Sequence, residues 1–224
     1  MVFCPIGIFG QIWDYPVKPG TEEWKKLKTG KEKIEACQIP ENVLKEISSH
    51  ELAYLCMKYP LFFEYTALED QREAIVRMIK QFNGLKELST RKDGARVLME
   101  TYSRMKVQDK EGYIEKGAYS SVLHFEYIEL LLSSDIFQDK LNAMEQQKLK
   151  EITISKYTEK LKHIDIYGGD GIRKSLLLSS ILILRTDPGQ KNDKLLEKFI
   201  RNYDSVSNKE LESISKINTQ NNGK

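Results

Sequence analysis

Apolar residues in this chain recur three and four positions apart, the spacing of a helix face, and no alternating run of convincing length appears. From Ala67 to Asn83 the residues Leu68, Ile75, Val76, Ile79 and Phe82 share one face, which predicts an amphipathic helix with Gly84 as its C-cap. Asp93 is placed to cap a further helix whose Ala95, Leu98, Tyr102 and Met105 form a buried stripe. The segment Ser120 to Ser133 is too apolar all round for a surface helix and belongs at the centre of the core. The longest helix is predicted from Ala143 to His163, with Leu149, Ile152, Tyr157, Leu161 and Ile164 facing inward. Further helices are expected at Ile172 to Arg185, Lys194 to Tyr203 and Asn208 to Ile217. Lys150 to Lys156 is the one local candidate for a strand, and its helical flanks outvote it.

Start signals agree with this periodicity. Thr29-x-x-Glu32, Ser48-x-x-Glu51, Thr66-x-x-Glu69, Asn142-x-x-Glu145 and Ser207-x-x-Glu210 each read as a capping box. Thr21 precedes Glu22, Glu23 and Trp24 as an N-cap, and Pro40 suits the first turn of the helix carrying Val43, Leu44 and Ile47. Another helix, His50 to Lys58, ends before Tyr59-Pro60, and Gly112 to Gly117 is a break. Pro5, Pro16 and Pro19 with Gly7, Gly10 and Gly20 exclude a regular helix at the start, so residues 1–20 are expected as an extended arm docked by Trp13 and Tyr15. The predicted fold class is all-α: roughly nine to eleven helices in antiparallel pairs, arranged as an irregular α-solenoid-like array or a multi-helix bundle. Residues 21–218 form one domain and 219–224 a frayed tail. Helix pairs recur at about the right spacing for a solenoid, but their residues do not recur in register.

Composition narrows the function classes. The 224 residues, 40% of them apolar, can fill a core, and 35 Lys and Arg against 33 Asp and Glu leave a net charge of +2. That balance creates no field to draw in nucleic acid or an anionic membrane, so nucleic acid is not an expected partner. The longest apolar run, Leu176 to Leu184, is broken by Ser179 and Ser180 and falls short of the ~20 residues that span a bilayer. Cys4, Cys37 and Cys56 contain no CxxC. Buried thiols are expected, with a Cys37–Cys56 pairing left open. Met1 to Trp13 is apolar but lacks the basic segment and uninterrupted apolar run of an export signal, which fits the stub of a longer leader.

Candidate chemistry is sparse, and no cofactor or metal site is indicated. His50, His124 and His163 each have a structural place: a first turn, the most apolar helix and a helix C-terminus. Gly168-Gly169-Asp170-Gly171, followed by Arg173 and Lys174, is the best functional-looking segment, because bare amides at a helix start beside two cations could bind an anion. It meets neither the Walker nor the Rossmann spacing, and a tight interhelical turn with Asp170 as N-cap is the favoured reading. The aromatic group Trp13, Tyr15, Trp24, Tyr59, Phe62, Phe63 and Tyr65 could stack on a sugar or anchor a partner, although packing of the arm is the simpler reading. Glu64, Glu69 and Asp70 are the carboxylates nearest to it in the chain.

The runs Asp14-Tyr15-Pro16-Val17-Lys18-Pro19-Gly20, Glu23-Trp24, Ala36-Cys37-Gln38-Ile39-Pro40, Tyr59-Pro60-Leu61 and Phe82-Asn83-Gly84-Leu85 resemble an all-helical family of gut Bacteroidales with no established activity. The resemblance extends from Asp14 through Ile166-Tyr167-Gly168-Gly169. It implies an extracytoplasmic protein, from whose export signal this chain departs, and supplies no catalytic residue. The expected function is a non-enzymatic helical interaction module for a protein or peptide. The competing expectation is an extracytoplasmic hydrolase or carbohydrate-active accessory protein with an aromatic and carboxylate pocket.

Overall fold

The computed structural model describes residues 13–108, 119–203 and 205–220, the side chains of 119–121 excepted. The predicted break at Gly112 to Gly117 and the first twelve residues of the arm lie outside them. The described residues form thirteen α-helices and one 3-10 helix, with no strand. In order these are α1 (Glu22–Lys26), α2 (Gly30–Ala36), α3 (Glu41–Glu46), α4 (Ser49–Met57), the 3-10 helix (Phe62–Ala67), α5 (Gln71–Gln81), α6 (Asn83–Thr90) and α7 (Gly94–Arg104). Then come α8 (Tyr119–Ser133), α9 (Asp135–Gln138), α10 (Ala143–Lys162), α11 (Ile164–Thr186), α12 (Lys194–Arg201) and α13 (Asn208–Gln220).

The capping chemistry sets most of these starts. Thr29, Ser48 and Asn142 each accept the amide three residues on while the paired Glu32, Glu51 or Glu145 accepts the cap amide. Ser207 and Glu210 make the same exchange at α13. Such boxes satisfy orphan amides that would otherwise destabilise a short helix. The fifth predicted box does not form. Thr66 lies in the 3-10 helix and donates to the Phe63 carbonyl, because Phe62 stacks on His124 and the Tyr65 hydroxyl is held at the Leu123 carbonyl. That tether to α8 tightens the chain, and α5 starts later, with the Asp70 side chain accepting from Glu73.

The helix predicted from Ala67 to Asn83 is likewise two helices. Phe82 is extended, and the Asn83 side chain bonds the amide and carbonyl of Ile39 at 2.9 and 2.7 Å. Gly84 is therefore in the first turn of α6 rather than a C-cap. A Cβ there would lie 2.4 Å from the Phe82 ring, so glycine permits the close approach. Leu68, outside both helices, is exposed. Pro40 occupies the N-cap of α3, and Asp93 accepts from the Ser49 hydroxyl without capping α7 by its side chain. α13 continues to Gln220, past the predicted start of the tail.

α8 and α11 form the spine, as their apolar composition requires. Tyr127, Ile128, Leu131 and Leu132 on α8 and Leu177, Leu178, Leu182 and Ile183 on α11 are fully or almost fully buried. α8 packs on α5, α7, α9, α11 and the 3-10 helix, while α11 also contacts α10, α12 and α13. One hydrophobic core runs from Tyr15 to Ile214. The Arg72 guanidinium donates to the Ile200 carbonyl, joining α5 to α12 across 128 residues. Contacts between elements so distant in the chain make an irregular bundle, since solenoid repeats touch only their neighbours. The arm docks as expected: Tyr15 is buried, and its hydroxyl donates to the Leu55 carbonyl at 2.9 Å.

Candidate functional site

The glycine segment sits where α10 turns back into α11. Gly168 interrupts α11 with φ 62° and ψ 178°, a conformation open essentially to glycine alone. Helical geometry resumes at Gly169, which places Asp170 inside the first turn of the long helix and not at its cap. At 100° per residue, Gly171, Lys174, Ser175 and Leu178 then share the inward face. Lys174 is consequently not an exposed cation beside free amides. It is 2% exposed and its ammonium lies 3.0 Å from Glu126 of α8. Arg173 is half-buried, while Gly169 and Asp170 are exposed. The segment is a turn that delivers a lysine to the core, and the anion cradle is not assembled.

A second ion pair lies beside the first. Lys160 of α10 meets both carboxylate oxygens of Glu129 at 2.8 and 2.9 Å, with both side chains 0% exposed. Tyr102 and Ser175 donate to the same carboxylate at 2.8 and 2.7 Å. Lys160 also lies over the Phe125 ring, 4.6 Å from its centroid. Burial pushes the Lys160 ammonium below its ordinary range, and Glu129 opposes that shift. These partners satisfy the donors and acceptors that burial would otherwise leave costly. The inner stripe of α10 is accordingly Leu149, Lys150, Thr153, Ile154, Tyr157 and Lys160, whereas the predicted inward residues Leu161 and Ile164 are exposed.

The Lys160–Ser175 distance of 2.9 Å is that of a base and nucleophile. Its chemistry is not. The ammonium is paired with Glu129 and so has no lone pair to take the hydroxyl proton, and neither side chain meets solvent. The histidines are also held structurally. His50 Nε2 is 2.9 Å from Glu100, His124 Nε2 is 2.9 Å from the Met57 carbonyl, and His163 joins α10 to α11, 3.6 Å from Glu159. Cys37 and Cys56 are free, buried thiols. Burial raises both, Cys37 to about 11, opposite to the activation a nucleophile needs.

Two open concavities flank α5. The larger, about 810 Å³, has one wall formed by Arg72, Glu73, Val76 and Lys80, which one side of the helix presents, with Glu69 just before its start. Its far wall is the end of α12 and the turn after it, Arg201, Asn202, Tyr203 and Ser205, and its floor is Leu130, Ser134 and Ile136 at the α8–α9 junction. Ser134 is 9% exposed, and its Oγ has no hydrogen-bond partner among the described residues. The smaller, about 450 Å³, lies on the opposite flank between α2, the 3-10 helix and α5.

The aromatic candidates do not converge on one pocket. Trp13 packs edge-on against Tyr15 at 4.8 Å, Trp24 is half-buried beneath the Lys33 ammonium, and Phe63 is exposed against Phe62. Tyr59, stacked on Phe82 at 4.0 Å, lines the smaller cavity. The carboxylates divide too: Glu64 faces the smaller cavity, Glu69 and Asp70 the larger. Sequence periodicity marks the α5 wall of the larger groove and a helix through Tyr203 on its far side, but nothing local signals that the two, more than 120 residues apart, will face each other. Among the described residues no group of three His, Cys, Asp or Glu side chains is placed to hold a metal, and no helix is long and apolar enough to cross a membrane. The chain matches no known protein family, curated protein or solved structure.

Proposed function

We propose that the protein is a non-enzymatic helical interaction module that receives a protein or peptide segment in the groove between α5, the α8–α9 junction and α12. The observation that carries this reading is a division of chemistry. The Lys160–Glu129 and Lys174–Glu126 pairs are sealed in the core, while the larger of the two concavities beside α5 has a mostly apolar floor and a charged rim. Val76, Leu130 and Ile136 offer a site for an apolar anchor. Glu69 and Asp70 with Lys80 and Arg201 place both signs of charge around it, which favours a segment bearing both. A groove of this size lies within the range of sites for small ligands and short peptide anchors.

The hydrolase reading has weaker support, because Glu64 opens into a different cavity from Glu69 and Asp70, and Asp70 caps α5. The test is selection of a displayed random peptide library on the folded protein. Peptides that bind at micromolar concentration should lose at least about tenfold in affinity to Val76→Glu. The reading fails if selected peptides bind this variant unchanged while its melting temperature matches the wild type.

A further inference from the structure

The N-terminal arm is attached to the body chiefly by one side chain. Of residues 13–20, Tyr15 alone is buried, while Asp14, Pro16, Lys18, Pro19 and Gly20 are exposed. Tyr15 enters a socket beside Tyr59 and Phe82, with ring centroids 6.4 and 6.5 Å away, and its hydroxyl donates to the Leu55 carbonyl at 2.9 Å. The Cys37 thiol adds a weak contact to the Val17 carbonyl at 3.8 Å. Among the described residues, no main-chain group of residues 13–17 bonds the backbone of the body. The ion pair of the arm, Asp14 with Lys18 at 2.6 Å, is internal to it. An open cavity of about 320 Å³ is left where Asp14, Lys18 and Pro19 meet Tyr59, Phe62 and His124. The arm is therefore a plug on a tether.

The tether is the turn Lys18-Pro19-Gly20-Thr21. The Thr21 amide and hydroxyl both donate to the Lys18 carbonyl, at 3.1 and 3.0 Å, and Gly20 has φ 98°. Proline at the second position and positive φ at the third mark a type II turn. A Cβ at Gly20 would meet nothing within 4 Å, so glycine is needed there for its backbone angle and not for space. Thr21 also caps α1 by accepting the Trp24 amide, which makes it the first residue of the body. Rotation of Gly20 to extended φ carries residues 13–18 away as a unit and leaves α1 intact.

We propose that the arm exchanges between two copies of this chain, Tyr15 of each filling the socket of the other. Such a dimer remakes every anchor contact of the closed monomer, and it differs only in an opened Lys18–Thr21 turn and in the freedom lost on association. A second copy is the occupant because its plug already matches the socket, ring against Tyr59 and Phe82 and hydroxyl on Leu55. Tethering gives the arm an effective concentration on the order of millimolar at its own socket, so the arm of another copy competes as the protein approaches that concentration. The face used is separate from the peptide groove and does not depend on it.

In the test, the full chain is unfolded in guanidinium chloride, refolded at about 1 mM and at about 1 μM, and sized by chromatography with light scattering. A dimer should form at the higher concentration and be absent at the lower. Gly20→Val, whose branched side chain disfavours the closed turn and suits the extended one, should raise the dimer-to-monomer ratio at least about tenfold. Tyr15→Ala should lower it by a similar factor. A dimer refolded from equal parts of a deuterated chain protonated only at tyrosine and one protonated only at phenylalanine should show NOEs from Tyr15 to Phe82 between chains. That measurement separates arm exchange from association by another surface, and it decides the matter even if Tyr15→Ala does not fold. The inference is overturned if wild type and Gly20→Val both stay monomeric at the higher concentration, if folded Tyr15→Ala dimerises undiminished, or if the dimer gives no Tyr15–Phe82 NOE between chains.

Discussion

Lys160 and Glu129 face each other across the α8–α10 interface with both carboxylate oxygens within 2.9 Å of one ammonium and no path to solvent. The pair fixes the relative placement of two central helices, and Ser175 brings α11 to the same carboxylate. Removing one partner leaves a buried charge without its counter-ion. Lys160→Met or Glu129→Leu should each cost about 3–5 kcal/mol, while the joint Lys160→Met, Glu129→Leu replacement should cost much less than the sum. Urea denaturation of the four proteins measures the coupling directly. Additive losses would show that the two charges do not act as a pair.

The turn feeding this network depends on one glycine. Gly168→Ala places a Cβ at φ 62° and ψ 178° and should destabilise by about 1–3 kcal/mol. Gly169→Ala, one residue later in helical geometry with open space around the new methyl, should be neutral or slightly stabilising. Thermal melts of the two variants separate the cases. Equal losses would mean that the bend is not fixed at Gly168.

How the chain could be read follows from these two sites. Caps and apolar spacing identify elements whose causes are local, such as α2 at Thr29, α4 at Ser48, α10 at Asn142 and the central helix α8. They fail where a distant residue decides the outcome. Phe82 leaves the helical pattern where Asn83 pairs with Ile39, and Tyr65 pulls the Thr66 box into a 3-10 helix by reaching Leu123. Arg91 gives no local signal that its guanidinium will hold the Leu44 and Ile47 carbonyls at the end of α3. The buried stripe of α10 misleads for a related reason: Lys160 is an inward residue only because Glu129, Tyr102 and Ser175 await it. Of the candidate site, the glycine bend was legible and the fate of Lys174 was not.

Lys156 gives the network a pH signature. Its ammonium is half-buried, donates to the Ser103 and Met105 carbonyls and sits near the Tyr102 and Phe125 rings. Desolvation lowers it from 10.5 to about 8, with Lys160 adding to the shift and Glu129 opposing it. Between those values the unfolded chain holds the proton more tightly than the folded protein, so this group makes stability rise with pH across that window. Below about pH 8 its unfavourable contribution is complete. The stability difference between wild type and Lys156→Met should therefore change in favour of the wild type from pH 8 to 9, read from urea midpoints. A difference that stays flat or moves the other way would contradict the desolvated lysine.

The central claim is that recognition occurs at the open groove while the core charges serve structure. Amide hydrogen exchange of the full chain, with and without a library-selected peptide at saturating concentration, tests it most directly. The account predicts added protection in the α5 segment from Arg72 to Lys80, at Ser134 to Ile136 and around Arg201 to Tyr203, with exchange at Gly168 to Ser175 unchanged. Protection centred on Gly168 to Ser175, with none along α5, would contradict it.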